Sequence, residues 1–304
     1  MAGDPAIRWQ VMADLLDAPA ADVAAERART ATHGWGAALL ALQDPDGRWA
    51  QALYSPKFTS TTYTLLLLQR LGLPSGNRQA LAGVRQLWDG AACYSGGLML
   101  APSVHRPEAC ITAMIVRLTC DFGLTEPRLA DSMAWLLGQQ LPDGGWNCRS
   151  VRDGSRHGSF HTTLLVLEAL AASQRTHPDA IVDAATARGR GFLLAHRLCR
   201  SHHTGQLVDP RYLRFPFPPG WRYDVVRALE HFIDAGADWD DRLTDGLDAI
   251  RAQRLPDGRW KGQGRYSGRY WATLEPAGPS RWATLRALRV VRWHRSLTGD
   301  RSHA

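Results

Sequence analysis

One string recurs three times along this chain and limits what it can fold into. LLALQDPDGRW ends at Trp49, LLGQQLPDGGW at Trp146 and IRAQRLPDGRW at Trp260. Each joins an apolar helical stretch, a glutamine (Gln43, Gln139, Gln253), a Pro-Asp-Gly turn and a tryptophan. The turn chemistry is local: proline presets φ, aspartate hydrogen-bonds its own backbone, and glycine takes the φ > 0 position. The tryptophans lie 97 and 114 residues apart, each near twice a repeat of roughly 50 residues. Degenerate copies therefore belong between them, and two fit: VRQLWDGAACYSGGLML around Gly97 and FLLAHRLCRSHHTGQLV around Gly205.

A second apolar helix follows each turn. These helices begin near Thr61, Ile111, Thr162, Tyr223 and Trp282, and a run such as Leu65-Leu66-Leu67-Leu68 leaves no polar face. They are expected to be buried on most sides, with the amphipathic first helices of each pair outside them. About five such pairs and no convincing strand make an all-α chain. A single domain over 1–304 is expected, with a helical extension over 1–29 and repeats from about residue 30. Two rings of helices would give an α/α toroid; an open solenoid satisfies the same period.

Composition removes several alternatives. With 304 residues, 45% hydrophobic and 21% charged, the chain has an ordinary globular balance. No apolar run reaches the ~20 residues of a membrane span, and the opening MAGDPAIRW lacks the basic start and apolar stretch of a signal peptide. Five scattered cysteines argue against a disulfide framework. A reducing cytoplasm is expected. The net charge of +7 would suit nucleic acid. However, only Lys57 and Lys261 among the 36 basic residues are lysine, and the arginines are dispersed, which favours a solvated basic surface over a nucleic-acid footprint. Phosphate-cradling loops and nucleophile elbows are absent from the sequence.

The Gln…Gly-x-Trp element resembles the repeat of the squalene/terpenoid cyclase and protein prenyltransferase β-subunit superfamily, from about residue 30 to the end. The resemblance implies the α/α toroid and an apolar cavity. It also implies a rim where the N-termini of the buried helices converge and favour an anion. Residues just before those helices are then read together: Lys57 and Thr59; His105, Arg106, Glu108 and Cys110; Arg156, His157 and His161; Arg222, Tyr223 and Asp224; and Arg281.

Glu108-Ala109-Cys110 in one repeat and His161-Thr162 in the next are similar to the zinc-site pattern of protein farnesyl- and geranylgeranyltransferase β subunits. That likeness implies Zn²⁺ held by Glu108, Cys110 and His161, with a fourth position open, an arrangement typical of catalytic zinc. Glutamate stands where that family has aspartate, and Ile111 where it has tyrosine. The implied substrate is a hydrophobic small molecule, an isoprenoid diphosphate in that family, held by Lys57, Arg106, Arg156, His157 and Arg222. Cys110, Tyr223 and Asp224 are the candidate catalytic groups. No helical α-subunit partner is indicated.

Other readings stay open. Cys110 is also readable as a small buried hydrophobe. A metal-free class II cyclase-like enzyme would need an acid, from Asp224 or from Asp240 within Asp238-Trp239-Asp240-Asp241, although that string precedes an outer helix and reads as its cap. A non-isoprenoid zinc-thiolate protein and a lipid-binding module are further alternatives. His196-x-x-Cys199-x-x-His202-His203 has metal-ligand spacing at an outer helix end.

Overall fold

The computed structural model of the chain describes residues 3–274 and 278–299. Its elements follow in order: α1 Pro5–Asp14, α2 Ala20–Ala28, α3 Gly34–Leu40, α4 Thr61–Leu71, α5 Arg78–Gly90, β1 Ala92–Tyr94, β2 Gly97–Met99, α6 Ala109–Phe122, α7 Leu129–Gly138, α8 Arg149–Asp153, α9 Phe160–Gln174, α10 Ala180–Ala195, α11 Val225–Asp234, α12 Thr244–Arg251, β3 Trp260–Lys261, β4 Pro279–Ser280 and α13 Arg281–Thr298. The chain is predominantly helical. Two short antiparallel ladders, β1 with β2 and β3 with β4, correct the expectation of no strand at all. The chain divides into two compact units, one of residues 27–192 and 267–272, the other of 1–26, 193–266 and 273–304.

The recurring string builds the same knot three times. Trp49, Trp146 and Trp260 are buried. Their indole N–H groups donate to the carbonyls ten residues earlier, of Leu39, Leu136 and Ile250, at 2.8, 2.7 and 2.7 Å. Their backbone N–H groups donate to the hydroxyls of Thr61, Thr163 and Thr284, in the first turn of the following buried helix, at 3.0, 2.9 and 3.0 Å. Each turn glycine is left-handed, with φ of 89° at Gly47, 86° at Gly144 and 82° at Gly258. The preceding aspartates, Asp46, Asp143 and Asp257, accept the N–H two residues on.

The structure moves the glutamine of the repeat by one residue in two copies. Gln43 donates to the carbonyls of Gly47 and Gln79. In the second copy Gln140, not Gln139, donates to Gly144 and Ala185. In the third, Arg254 stands there and reaches the Gly258 carbonyl, while Gln253 bonds Leu213 and Ala249 instead. A constant six-residue spacing to the tryptophan explains the shift, since only that position lies over the turn.

The copy around Gly97 is the β1–β2 hairpin. Leu98 takes the place of the tryptophan, its N–H donating to Thr112 at 2.8 Å. Gly97 leaves room for Trp135, whose ring would lie 2.5 Å from an added Cβ. The copy around Gly205 keeps a single bridge, Arg200 with Leu207.

Helices α4, α6, α9 and α11 are buried along most of their length, their long apolar runs broken by few charged residues. In the first unit α6 packs against α4, α5, α7 and α9. The outer members bury one stripe each: Ala80, Gly83, Val84, Leu87 and Trp88 on α5, at helical spacing. The apolar contacts of α4, α6 and α9 are interrupted toward their C-termini by Arg70 and Arg117, both paired with Glu168. In the second unit α11 packs against α12 and α13, and α1 against α13. No helix among the described residues is long and apolar enough to cross a membrane.

Candidate functional site

At the start of α6, Glu108 is the N-cap residue, yet its carboxylate does not bond the open amides of its own helix. It turns instead to Cys110, whose thiol lies 3.6 Å from Glu108 Oε2. The backbone N–H of Cys110, one of the orphan donors of the first turn, goes to the sulfur of Cys148 at 3.1 Å. Cys148 arrives from the second repeat turn, two residues past Trp146. Its N–H donates to Thr162 Oγ1, in the first turn of α9, at 3.4 Å, and its sulfur is 3.5 Å from the same hydroxyl. Glu108, Cys110 and Cys148 thus present ligand atoms all within 4.8 Å of one another, the only such group of three among the described residues.

The two thiols differ in proton affinity. The Cys110 thiol is pushed well up, first by its hydrogen bond to Cys148, then by burial and by the charges of Cys148 and Glu108. Cys148 is drawn down, chiefly because its sulfur accepts from Cys110, with Thr162 and the Cys110 N–H adding to the effect against burial. Of the two, Cys148 is therefore the thiol that gives up its proton first.

Aromatic rings flank the centre. Tyr54 ionises less readily than usual, first because of burial, then because of the charges of Cys110, Glu108 and Cys148. It lies 5.6 Å, ring to ring, from Tyr63, which is 5.5 Å from Phe58; Phe58 in turn stacks on Tyr270 at 4.4 Å.

The other expected residues are distributed as follows. His161 is half-buried on the first turn of α9 but is not one of the group, and Cys148 stands in its place. Lys57 is half-buried in the loop before α4, while Arg106, Arg156 and His157 are exposed in the loops before α6 and α9. Sequence reasoning missed Cys148. Its signal was position, since the turn's tryptophan is tied to the next buried helix and the residues leaving it must pass that helix's N-terminus.

The second unit holds a different centre. Asp224 is fully buried at the N-cap of α11, its Oδ1 accepting from Arg227 N–H at 2.8 Å and from Arg286 at 3.3 Å. Its Oδ2 is buried without a hydrogen bond. Burial raises its pKa, with the Arg286 charge and the Arg227 N–H opposing. Arg286 is shared with Glu230 at 2.7 Å. Tyr223 is spent structurally, donating to the Leu198 carbonyl at 2.6 Å. The Arg222 guanidinium lies 4.9 Å from the ring of Trp221 and 4.6 Å from that of Tyr266.

Asp240 accepts from Arg242 N–H at 2.9 Å and pairs with its side chain, so this carboxyl caps a turn and is held below the usual range by Arg242. His196 and His202 hydrogen-bond at 2.9 Å, whereas Cys199 is buried with its thiol toward the Arg197 carbonyl.

No family model matches the chain. No curated protein matches it either. Among solved structures it is similar to the type II terpene cyclase MstE from Scytonema, 17% identical over 96% of this chain and 87% of that one, TM-score 0.48. A variant of that cyclase in complex with merosterolic acid A (product) is 17% identical over 97% and 88%, TM-score 0.48. A protein from Actinoplanes is 17% identical over 95% and 89%, TM-score 0.46.

Proposed function

We propose that the chain is an α/α-toroid enzyme that handles an apolar, isoprenoid-like substrate at a zinc-binding thiol centre formed by Glu108, Cys110 and Cys148. The observation that carries this reading is the gathering of two thiols and a carboxylate from two repeats, Glu108 and Cys110 from one and Cys148 from the next. The donor set fits the metal: tetrahedral bonds of about 2.3 Å to sulfur and about 2.0 Å to oxygen set an S···O edge of ~3.5 Å, against 3.6 Å between Cys110 and Glu108. Two thiols and a carboxylate leave one position for substrate. Bound zinc would keep its thiol ligands deprotonated near neutral pH.

The chain's own residues supply the rest. Tyr54, the ring nearest the thiols, suits an allylic chain and the positive charge it develops on losing diphosphate. Arg106, Arg156 and Lys57 offer cations for that leaving group. Thr162 and the Cys110 N–H position the Cys148 sulfur. The reaction class is alkyl transfer from an allylic diphosphate to a thiolate.

Metal analysis of the purified chain, followed by pyrophosphate release from C10 to C20 prenyl diphosphates, tests this directly. About one zinc per chain and thiol-dependent release support it; a chain that takes up no zinc sinks it.

A second reading rests on Asp224. A buried carboxyl with an unbonded oxygen and a raised pKa has the makings of a proton donor to an alkene, with no metal involved. Turnover of a polyprenyl substrate without zinc, abolished in Asp224→Asn, would select it.

A further inference from the structure

We propose that Cys110 and Cys148 are an oxidation site: in the metal-free chain a peroxide converts them to a disulfide. The proposal concerns the two thiols used by the zinc reading but does not depend on it, because it describes the chain without metal.

Proximity carries the argument. The two sulfurs lie within 4.8 Å of each other although the residues are 38 apart in sequence. The Cys110 backbone N–H already touches the Cys148 sulfur at 3.1 Å. An S–S bond of about 2.05 Å therefore asks the sulfurs to close by less than ~3 Å, within the reach of side-chain rotation. One partner is fixed and the other can yield. Cys110 sits in the first turn of the buried helix α6, whereas Cys148 leads into α8, which buries none of its residues. Both cysteines are half-buried, so neither is sealed from a small oxidant.

The chemistry balances with hydrogen peroxide as the oxidant. The Cys148 sulfur, supported by Thr162 and the Cys110 N–H, attacks one peroxide oxygen. The O–O bond breaks, one water leaves, and Cys148 becomes a sulfenic acid. The Cys110 sulfur then displaces the hydroxyl from Cys148. That hydroxyl departs as a second water with the Cys110 proton, and the S–S bond forms. Two electrons pass from the sulfurs to the peroxide. The product ties the N-terminus of α6 to the exit of the Trp146 turn and removes both thiols as metal ligands.

The test uses the full chain, reduced and stripped of metal with a chelator, then treated with stoichiometric hydrogen peroxide. Expected are a mass lower by about 2 Da, a thiol titre falling from five to three, and a reducible cross-link between the peptides carrying Cys110 and Cys148. In Cys110→Ser, dimedone should label Cys148. Five thiols surviving the treatment, a cross-link through Cys93, Cys120 or Cys199 instead, or no dimedone adduct at Cys148 in Cys110→Ser would overturn the proposal. Zinc content of the reduced chain, measured beforehand, judges the zinc reading alone, so the two can fail independently.

Discussion

The backbone amide of Cys110 reaches the sulfur of Cys148 at 3.1 Å, so the first turn of one buried helix is closed by a residue from the next repeat. An amide that other helices satisfy with a capping oxygen here points at a thiol. The consequences can be checked one at a time.

Zinc uptake should follow the cluster rather than the spacing read from sequence. Cys148→Ser and Cys110→Ser are expected to lower zinc affinity by at least tenfold, as loss of a ligand does, whereas His161→Ala keeps zinc at wild-type stoichiometry. Chelator competition measures both. Zinc lost from His161→Ala but retained in Cys148→Ser would reverse the assignment.

The buried acid predicts a pH dependence with a definite sign. Asp224 holds its proton more tightly in the folded chain than in the unfolded one, where the ordinary value is 3.8. Its contribution is fully present below that value and is lost as pH rises through the raised folded pKa, at a slope of ~1.4 kcal/mol per pH unit within the window. Asp224→Asn, which can still cap α11, should lose less stability than wild type as pH rises from about 4 to 7. Urea unfolding at several pH values reads the difference. Parallel curves would show no such group.

Each repeat knot should carry measurable stability. Thr163→Ala leaves the buried Trp146 N–H without its acceptor and is expected to cost about 1–3 kcal/mol. Trp146→Phe removes the indole donor, leaving the Leu136 carbonyl only the Gln139 N–H at 3.2 Å, and with the lost ring volume should cost a similar amount. Denaturant midpoints give both values; changes under ~0.5 kcal/mol would mean water replaces the lost partner.

Gly144→Ala tests the turn itself. The residue has φ of 86° and an added Cβ would lie 2.4 Å from the Arg188 carbonyl oxygen. About 1–2 kcal/mol of left-handed strain is expected, with the clash added to it. Gly191→Ala, inside α10 where nothing lies within 4 Å, is the contrast and should gain about 0.5–1 kcal/mol from helix propensity.

The helical character and the repeat turns were legible because their signal is local. Trp49, Trp146 and Trp260 bond a carbonyl ten residues behind and a threonine hydroxyl ahead, so turn chemistry and apolar runs suffice to find them. The adjacent pair Gln139 and Gln140 defeated the same reasoning by one residue, since composition does not say which side chain lies over the turn. The site was legible only in part. Glu108 and Cys110 share one helix start, but Cys148 reaches them through a contact spanning 38 residues, and no periodicity encodes such a contact. His161 shows the converse: the expected residue type at the expected helix start, yet outside the group that Glu108, Cys110 and Cys148 form. Asp224 and Arg286, 62 residues apart, were equally invisible as a pair.

The Ser159 amide donates to the Trp146 carbonyl at 2.8 Å. That bond, with Gly158 N–H to Asp143 at 2.7 Å and the Asn147 amide to the His157 carbonyl at 2.8 Å, cinches the neck of the excursion carrying Cys148, Arg156 and His157. The segment is thereby held against two helix starts at once, its Cys148 closing the first turn of α6 while its neck stays fixed at the Trp146 turn.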